Sequence, residues 1–380
     1  MVASFWVWAV GCTPDTVAPA GGPRAPVDPA ATGSTADPDL PGTSTGTATT
    51  TATTGTTATT ATTGTGTTST TDPPSAIDLC FGDIADPTRP SPDYDQFHPT
   101  VGSHCSGTDH QTITAIDRVV FLGDSITVGT PPTPNAEFYR NRLAAELVTE
   151  FGLDAPGPLW ERVDVLSGTT IVEHSGDFWS CATWGDRADD LLQDGTQLED
   201  CFPEDTRDQR TLVVMTVGGN DLASLQQGFQ EGVPVDQSWA ETEAFMGLVR
   251  EAVAWMTDPV RFPNGNAVIL TNLYEYTDGT GEVTACPGAA LAGYQDTTDP
   301  DLAEMVVWSM EQFMSISVDN GTDLVFLLET FCGHGYNRDD ATGQCYRGPD
   351  TDLWFDLTCI HPNPTGHQVI ADLFMDVVRE

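Results

Sequence analysis

Along this chain, runs of consecutive apolar residues alternate with stretches whose apolar positions recur every three or four residues. Short apolar runs predict strands buried on both faces of a parallel sheet, whereas the three-to-four spacing predicts amphipathic helices. The strands expected are Val119 to Leu122, Arg162 to Leu166, Thr211 to Val217, Ala267 to Leu273 and Leu324 to Leu328. Helices are expected over Glu137 to Phe151, Arg187 to Leu192, Trp239 to Met256, Leu302 to Ser317 and Val369 to Val378. In the first of these, Phe138, Leu143, Leu147 and Phe151 suit one face, which packs on the sheet. Trp255 and Trp308 read as core residues. Strand followed by helix, repeated along the chain, calls for a five-stranded parallel sheet with helices on both faces. Right-handed crossovers leave few topologies, and ligands bind such sheets in the crevice at the carboxyl edge of the strands. No internal repeat of roughly 20 to 50 residues is visible, which excludes a solenoid or a propeller.

The turns that close these strands carry the chemistry. Val119-Val-Phe-Leu-Gly123-Asp-Ser125 runs an apolar strand into a sharp turn that presents Ser125 where a helix begins. There the Ser125 hydroxyl serves as a candidate nucleophile, and its own backbone N–H points at whatever binds. Thr211 to Val217 ends in Gly218-Gly-Asn220-Asp221, so the Asn220 amide faces the same crevice. Ile360-His361-Pro-Asn-Pro-Thr-Gly-His367 precedes the last helix. His361 is the candidate general base; His367, at the helix start, is its rival.

With Ser125, Asn220 and His361 in this order after successive strands, the chain resembles the SGNH (GDSL) hydrolase family over roughly residues 115 to 380. The signature blocks of that family are a Gly-Asp-Ser, a glycine, a Gly-x-Asn-Asp and a terminal Asp-x-x-His-Pro. The resemblance implies a flavodoxin-like three-layer α/β/α sandwich and ester hydrolysis through a serine acyl-enzyme, without cofactor or metal. Ser125 would be the nucleophile, His361 the base, and Ser125, Gly185 and Asn220 the oxyanion donors. Gly185, in Cys181-Ala-Thr-Trp-Gly185-Asp-Arg, is the better match to the glycine block, and Gly168 in Ser167-Gly168-Thr-Thr competes. The chain departs from the family at the acid: Thr358 stands three residues before His361, where the family carries Asp. Asp356 reaches the imidazole if the loop bulges, and a main-chain carbonyl is the alternative. Two rival functions stay open, an acyltransferase on the same scaffold and a non-catalytic surface-binding domain.

These residue types answer the demands of acyl transfer. A serine hydroxyl is a poor nucleophile at its free pKa, so a histidine must take its proton and return it to the leaving alkoxide. The acid holds the imidazole in the right tautomer and stabilises its cation. The oxyanion of the tetrahedral intermediate needs preorganised donors.

Charge and composition bound the rest. The formal charge is −42, with all 14 basic residues arginine, which excludes nucleic-acid binding by phosphate neutralisation. The absence of lysine beside abundant aspartate suits salty surroundings, and salt should relieve the surface repulsion. Asp319 to Asp323 and Asn337 to Asp340 lack the spacing of an EF-hand loop and read as solvated turns, with calcium binding as the alternative. Residues 1 to 12 end in Ala9-Val-Gly-Cys12, which resembles a bacterial lipobox, so Cys12 is a candidate lipid anchor. The run lacks a basic start, so either a longer signal lies upstream or the match is accidental. Residues 13 to 75, dominated between Thr32 and Thr71 by Thr, Ala, Gly and Ser, cannot bury a core and read as a flexible tether. The domain then spans 76 to 380, with an irregular lead-in over 76 to 114. It is expected to act as a monomer outside the cytoplasm on a lipid, short-chain or glycan ester. Of 9 cysteines, all but Cys12 form an even set that suits disulfides better than zinc. Proximity pairs Cys80 with Cys105 and Cys181 with Cys201, and a bridge from Cys359 would brace the loop of His361. The cysteine-bearing segments 278 to 300 and 331 to 358 read as stapled loops, with a substrate-facing rim as the alternative.

Overall fold

A computed structural model describes residues 73–84, 92–192, 197–292, 295–296 and 298–380. The candidate anchor Cys12, the lipobox-like run before it and the Thr-rich stretch lie outside the described residues. The strands in chain order are β1 (Arg118–Gly123), β2 (Val163–Asp164), β3 (Thr169–Thr170), β4 (His174–Ser175), β5 (Phe178–Ser180), β6 (Thr211–Thr216), β7 (Asn266–Thr271) and β8 (Asp323–Val325). The helices are α1 (Ala76–Phe81), α2 (Ser125–Val128), α3 (Tyr139–Phe151), α4 (Gln197–Cys201) and α5 (Gly219–Glu231). They continue as α6 (Val235–Met256), α7 (Pro287–Ala292), α8 (Pro300–Asn320), α9 (Leu327–Phe331) and α10 (Pro364–Arg379).

The main sheet has the order β4-β5-β1-β6-β7-β8, in which all pairs are parallel except β4 with β5. Alternation along the strands builds two cores. Val120 and Leu122 of β1, with Val213, Met215, Val268 and Leu270, face Phe245, Val249, Val253, Phe313 and Met314 of α6 and α8. Val119 and Phe121, with Leu212, Val214 and Ile269, face Tyr139, Leu143 and Leu147 of α3 and Ile370 and Phe374 of α10. Because both faces are covered, the central strands are apolar throughout, and the result is the three-layer α/β/α sandwich expected.

Three expected elements need correction, and one helix is additional. Arg162 to Leu166 does not enter the main sheet: Val163–Asp164 pairs with Thr169–Thr170 in a separate hairpin, leaving Leu166 95% exposed. The second parallel strand is instead Phe178–Ser180, too short to show a period, and β4 adds an antiparallel sixth strand. Arg187 to Leu192 is no helix, only a 3-10 turn over Asp189–Leu191. The fifth strand stops at Val325, and Leu327 starts α9, where the Leu328 N–H donates to Asn272 Oδ1 at 2.9 Å. A run such as Val325-Phe-Leu-Leu has no period that separates strand from helix. Finally, α5 follows Gly218 directly and was not anticipated, since Gly219 and Gly228 mask its periodicity.

The lead-in wraps the sheet edge. Thr108 N donates to Leu324 O and Phe326 N to Ser106 O, both at 3.0 Å, which covers the open side of β8. Four disulfides form: Cys80–Cys105 and Cys181–Cys201, as proximity suggested, with Cys286–Cys359 and Cys332–Cys345. Among the described residues no helix is long and apolar enough to cross a membrane.

The Cys286–Cys359 bridge spans 73 residues of sequence, so its removal releases a long loop in the unfolded chain. Replacing both cysteines by serine is expected to lower stability by about 4 kcal/mol, measured by denaturant titration. Faster hydrogen exchange over residues 355–363 should accompany the loss.

Candidate active site

The turn that carries Ser125 is forced by backbone crowding. Gly123 has φ 125°, and a Cβ there would lie 1.7 Å from Thr216 O of β6, so only glycine ends this strand. The Gln197 side chain grips the same residue, accepting from Gly123 N at 2.9 Å and donating to Gly123 O at 3.0 Å. Asp124 then caps α2, accepting from Ile126 N at 2.9 Å. At the other end of α2 the buried Arg140 guanidinium donates to Thr127 O (3.2 Å), Val128 O (3.4 Å) and Trp160 O (2.8 Å). It lies 4.2 Å from the centre of the Trp160 ring, and burial lowers its pKa to about 9. A cation on the last carbonyls of a helix is favourable, and here it locks a single turn in place.

His361 comes from a loop tied at many points. Asp356 N donates to His361 O (2.9 Å), and Cys359 N to Asp356 O (3.1 Å) in a turn that holds Cys359 at φ 77°. Tyr336 Oη donates to Asp356 O (2.6 Å) and Tyr274 Oη to Ile360 O (3.0 Å). Tyr336 itself sits on a loop gathered by Asp278, which accepts the N–H groups of Gly333, Gly335 and Asn337 at 2.8–2.9 Å. Among the described residues, 278–292 and 331–358 thus act as stapled supports for the histidine loop.

These constraints bring His361 Nε2 to 3.0 Å from Ser125 Oγ. Its Nδ1 lies 2.7 Å from Thr358 Oγ1, and that hydroxyl lies 2.5 Å from Asp356 Oδ1. Of the two alternatives left open, neither a direct Asp356 bond to the imidazole nor a main-chain carbonyl is found at Nδ1: Thr358 stands between. Burial lowers the His361 pKa to about 4. The rival, His367, lies fully buried in α10, where Nδ1 accepts from Tyr139 N at 3.2 Å and the ring packs edge-on against Phe138. It serves the α3–α10 contact, and His361 is the histidine bonded to Ser125.

Two further segments reach this edge. Cys181 N donates to Phe121 O (3.1 Å) and Thr183 N to Gly123 O (3.2 Å), so the chain after β5 follows β1 to its end and leads to Gly185. Gly185 has φ 86°, and nothing lies within 4 Å of where its Cβ would be. Asn220, in the first turn of α5, donates one amide hydrogen to Asp186 O at 2.8 Å, which joins that loop to the Asn220 helix. Gly168 lies behind: its carbonyl accepts from Trp184 N at 2.8 Å, and a Cβ there would meet Trp184 Cβ at 2.8 Å. It supports the Trp184 side chain, whose Nε1 donates to Gly129 O at 3.0 Å.

The Asp-rich stretches are engaged in structure. Asp319 pairs with Arg250 at 2.6 Å, and Asp323 accepts from Thr108 Oγ1 and His110 N. Among the described residues no group of three or more His, Cys, Asp or Glu is arranged to hold a metal ion.

A family model for the GDSL-like lipase/acylhydrolase family matches residues 121–369, and the chain belongs to this family. Its members are carboxylic ester hydrolases, and the fold and the Ser125–His361 pair agree with that class. Among solved structures, the chain is similar to an acetylxylan esterase from Geobacillus stearothermophilus at 15% identity and a TM-score of 0.40, covering 70% of this chain and 96% of that one. A member of the lipolytic protein G-D-S-L family from Veillonella parvula is similar at 12% identity and a TM-score of 0.38, covering 69% and 98%. Among curated protein sequences nothing matches.

Beneath the site lie two buried carboxyl groups, Asp124 and Asp221, and the half-buried Asp186. Burial raises their pKa values to about 7, about 7 and about 6, and the charges of Asp221 and Asp186 add to the shift of Asp124. A carboxyl whose folded pKa is raised stabilises the fold below its unfolded pKa, and that contribution is lost as pH rises through the folded value. The melting temperature is therefore expected to rise as pH falls from about 8 to 5. Asp221→Asn should flatten this dependence in a thermal-melt series.

Proposed function

We propose that the protein hydrolyses carboxylic esters through an acyl-enzyme on Ser125. The observation that carries the reading is the 3.0 Å approach of His361 Nε2 to Ser125 Oγ at the carboxyl edge of the sheet. Neutral His361 accepts the Ser125 proton as Oγ attacks the carbonyl carbon, then returns it to the departing alkoxide. Water, deprotonated by the same imidazole, releases the acid and restores Ser125. The backbone N–H groups of Ser125 and Gly185, and the second amide hydrogen of Asn220, are the donors assigned to the oxyanion. Asp356 is assigned the role of the acid. The four disulfides support an extracytoplasmic setting, where thiols oxidise.

The test is hydrolysis of nitrophenyl acetate and octanoate beside Ser125→Ala and His361→Ala, with fluorophosphonate labelling of Ser125 as a second readout. Both variants should fall to background and Ser125→Ala should not label; equal background rates in wild type and variants would sink the proposal. Asn220→Ala should lower kcat by about 10²- to 10³-fold, the usual effect of losing one oxyanion donor. A merely structural Asn220 would leave kcat of the folded variant intact.

The working imidazole must be neutral, and burial holds its pKa near 4, so protonation removes the base only in strong acid. The acid limb of kcat/KM should thus fall near pH 4 rather than near the ordinary histidine value of about 6.5. A pH profile on a neutral ester checks this.

A further inference from the structure

We infer that Thr358 is the positioning residue that fixes the tautomer of His361, relaying the Asp356 carboxyl to the imidazole through its own hydroxyl. The inference rests on the reading of Ser125 and His361 as nucleophile and base, and it changes what stands behind them: a chain of Ser125, His361, Thr358 and Asp356 in place of a direct histidine–carboxylate pair.

The hydrogen-bond directions follow from counting protons. A hydroxyl has one proton to donate and two lone pairs with which to accept. Asp356 Oδ1 accepts the Thr358 backbone N–H at 2.8 Å, which marks that oxygen as an acceptor, and the Thr358 hydroxyl meets the same oxygen at 2.5 Å. The hydroxyl proton therefore lies toward Asp356. What Oγ1 turns to His361 Nδ1, 2.7 Å away, is a lone pair, so Nδ1 must carry a hydrogen. The neutral ring then has its free lone pair on Nε2, facing Ser125 Oγ, as proton abstraction requires.

The same placement explains an orphan. Asp356 Oδ2 is buried with no hydrogen-bond partner, although Asp356 is only 8% exposed. A buried carboxyl left half satisfied is costly, and such groups ask for a reason. The reason offered here is polarisation: the carboxyl concentrates both Thr358 donors on Oδ1, and charge-assisted bonds of this kind make the hydroxyl oxygen a stronger acceptor for Nδ1–H. Stabilisation of the imidazolium that forms during attack is thereby transmitted through one neutral group. The backbone enforces the geometry, since the Asp356 and Tyr336 bonds and the Cys286–Cys359 bridge hold the turn from both sides.

The variants are Thr358→Val, which keeps the shape and removes the hydroxyl, Thr358→Ser, which restores it, Asp356→Asn, and the Thr358→Val/Asp356→Asn double variant. Thr358→Val should lower kcat by about 10²-fold with KM unchanged, within the range of general-base contributions, and Thr358→Ser should recover most of the rate. Links in series do not add, so the double variant should be no slower than Thr358→Val alone. A readout independent of activity is the ¹⁵N spectrum of the histidine rings, with the His361 signals identified by their loss in His361→Gln. Wild type should show a neutral Nδ1–H ring at His361, and Thr358→Val a shift toward the Nε2–H form. An unchanged tautomer and rate in folded Thr358→Val, or losses that multiply in the double variant, would overturn the relay. If Thr358→Val does not fold, Thr358→Ser against Thr358→Ala carries the same comparison. Failure of wild type to turn over ester or to label at Ser125 would instead remove the esterase reading, while the tautomer measurement would still decide whether Thr358 orients the ring.

Discussion

The contact of β1 with β6 at Gly123 governs the rest of the active edge. The two strands run so close that any side chain at Gly123 would enter the carbonyl of Thr216, so the chain must leave the sheet there with a positive φ. That exit determines where α2 begins, hence where Ser125 stands. It also exposes the Gly123 backbone groups that Gln197 and Thr183 grip, which draws the Gly185 loop to the same corner. One steric constraint in the middle of the sheet thus aligns Ser125 with two of its neighbours.

Electrostatics in this chain are unusual because cations are scarce. With a formal charge of −42 and 14 arginines, two guanidinium groups are nevertheless buried and bonded to main-chain carbonyls. Arg140 holds the end of α2 through main-chain carbonyls and the Trp160 ring, and Arg118 bonds Cys201 O between the rings of Trp179 and Phe202. Arginine suits this use, since its planar fork reaches several carbonyls while its face stacks on aromatics. The carboxyl groups near the site, by contrast, sit where burial keeps them protonatable near neutrality. The acidic surface and the weakly charged interior are therefore separate regimes, the first screened by salt and the second insulated from it.

The loop that carries His361 shows how a side chain is held in place without secondary structure. Its rigidity comes from a disulfide, two tyrosine hydroxyls and a neighbouring loop collected around one buried carboxyl, Asp278. The supports lie far away in sequence, and none belongs to the motif that contains His361. Such loops hold their shape only when many weak ties act on the same few residues.

Strong local patterns were legible in the amino-acid order alone. Continuous apolar strands, the Gly-Asp-Ser turn, the Gly-Gly-Asn-Asp turn and the His-Pro loop each depend on neighbouring residues, and so the parallel sheet, Ser125, Asn220 and His361 could be located without a structure. Two of the disulfides joined cysteines close in sequence and were legible for the same reason. What required the tertiary structure were matters of long-range partnership. Phe178–Ser180 is a strand because β1 offers it hydrogen bonds, while the more apolar Val163 to Leu166 has no such neighbour and folds back on itself. His367 and His361 are alike as residues, and only packing against Tyr139 and Phe138 sets one aside from the chemistry. The place of Thr358 between His361 and Asp356 was decided by a turn whose φ at Cys359 and whose disulfide to Cys286 no local pattern records. Sequence carries short-range geometry directly, whereas the direction of a hydrogen bond between loops exists only once the distant chain has been brought to meet it.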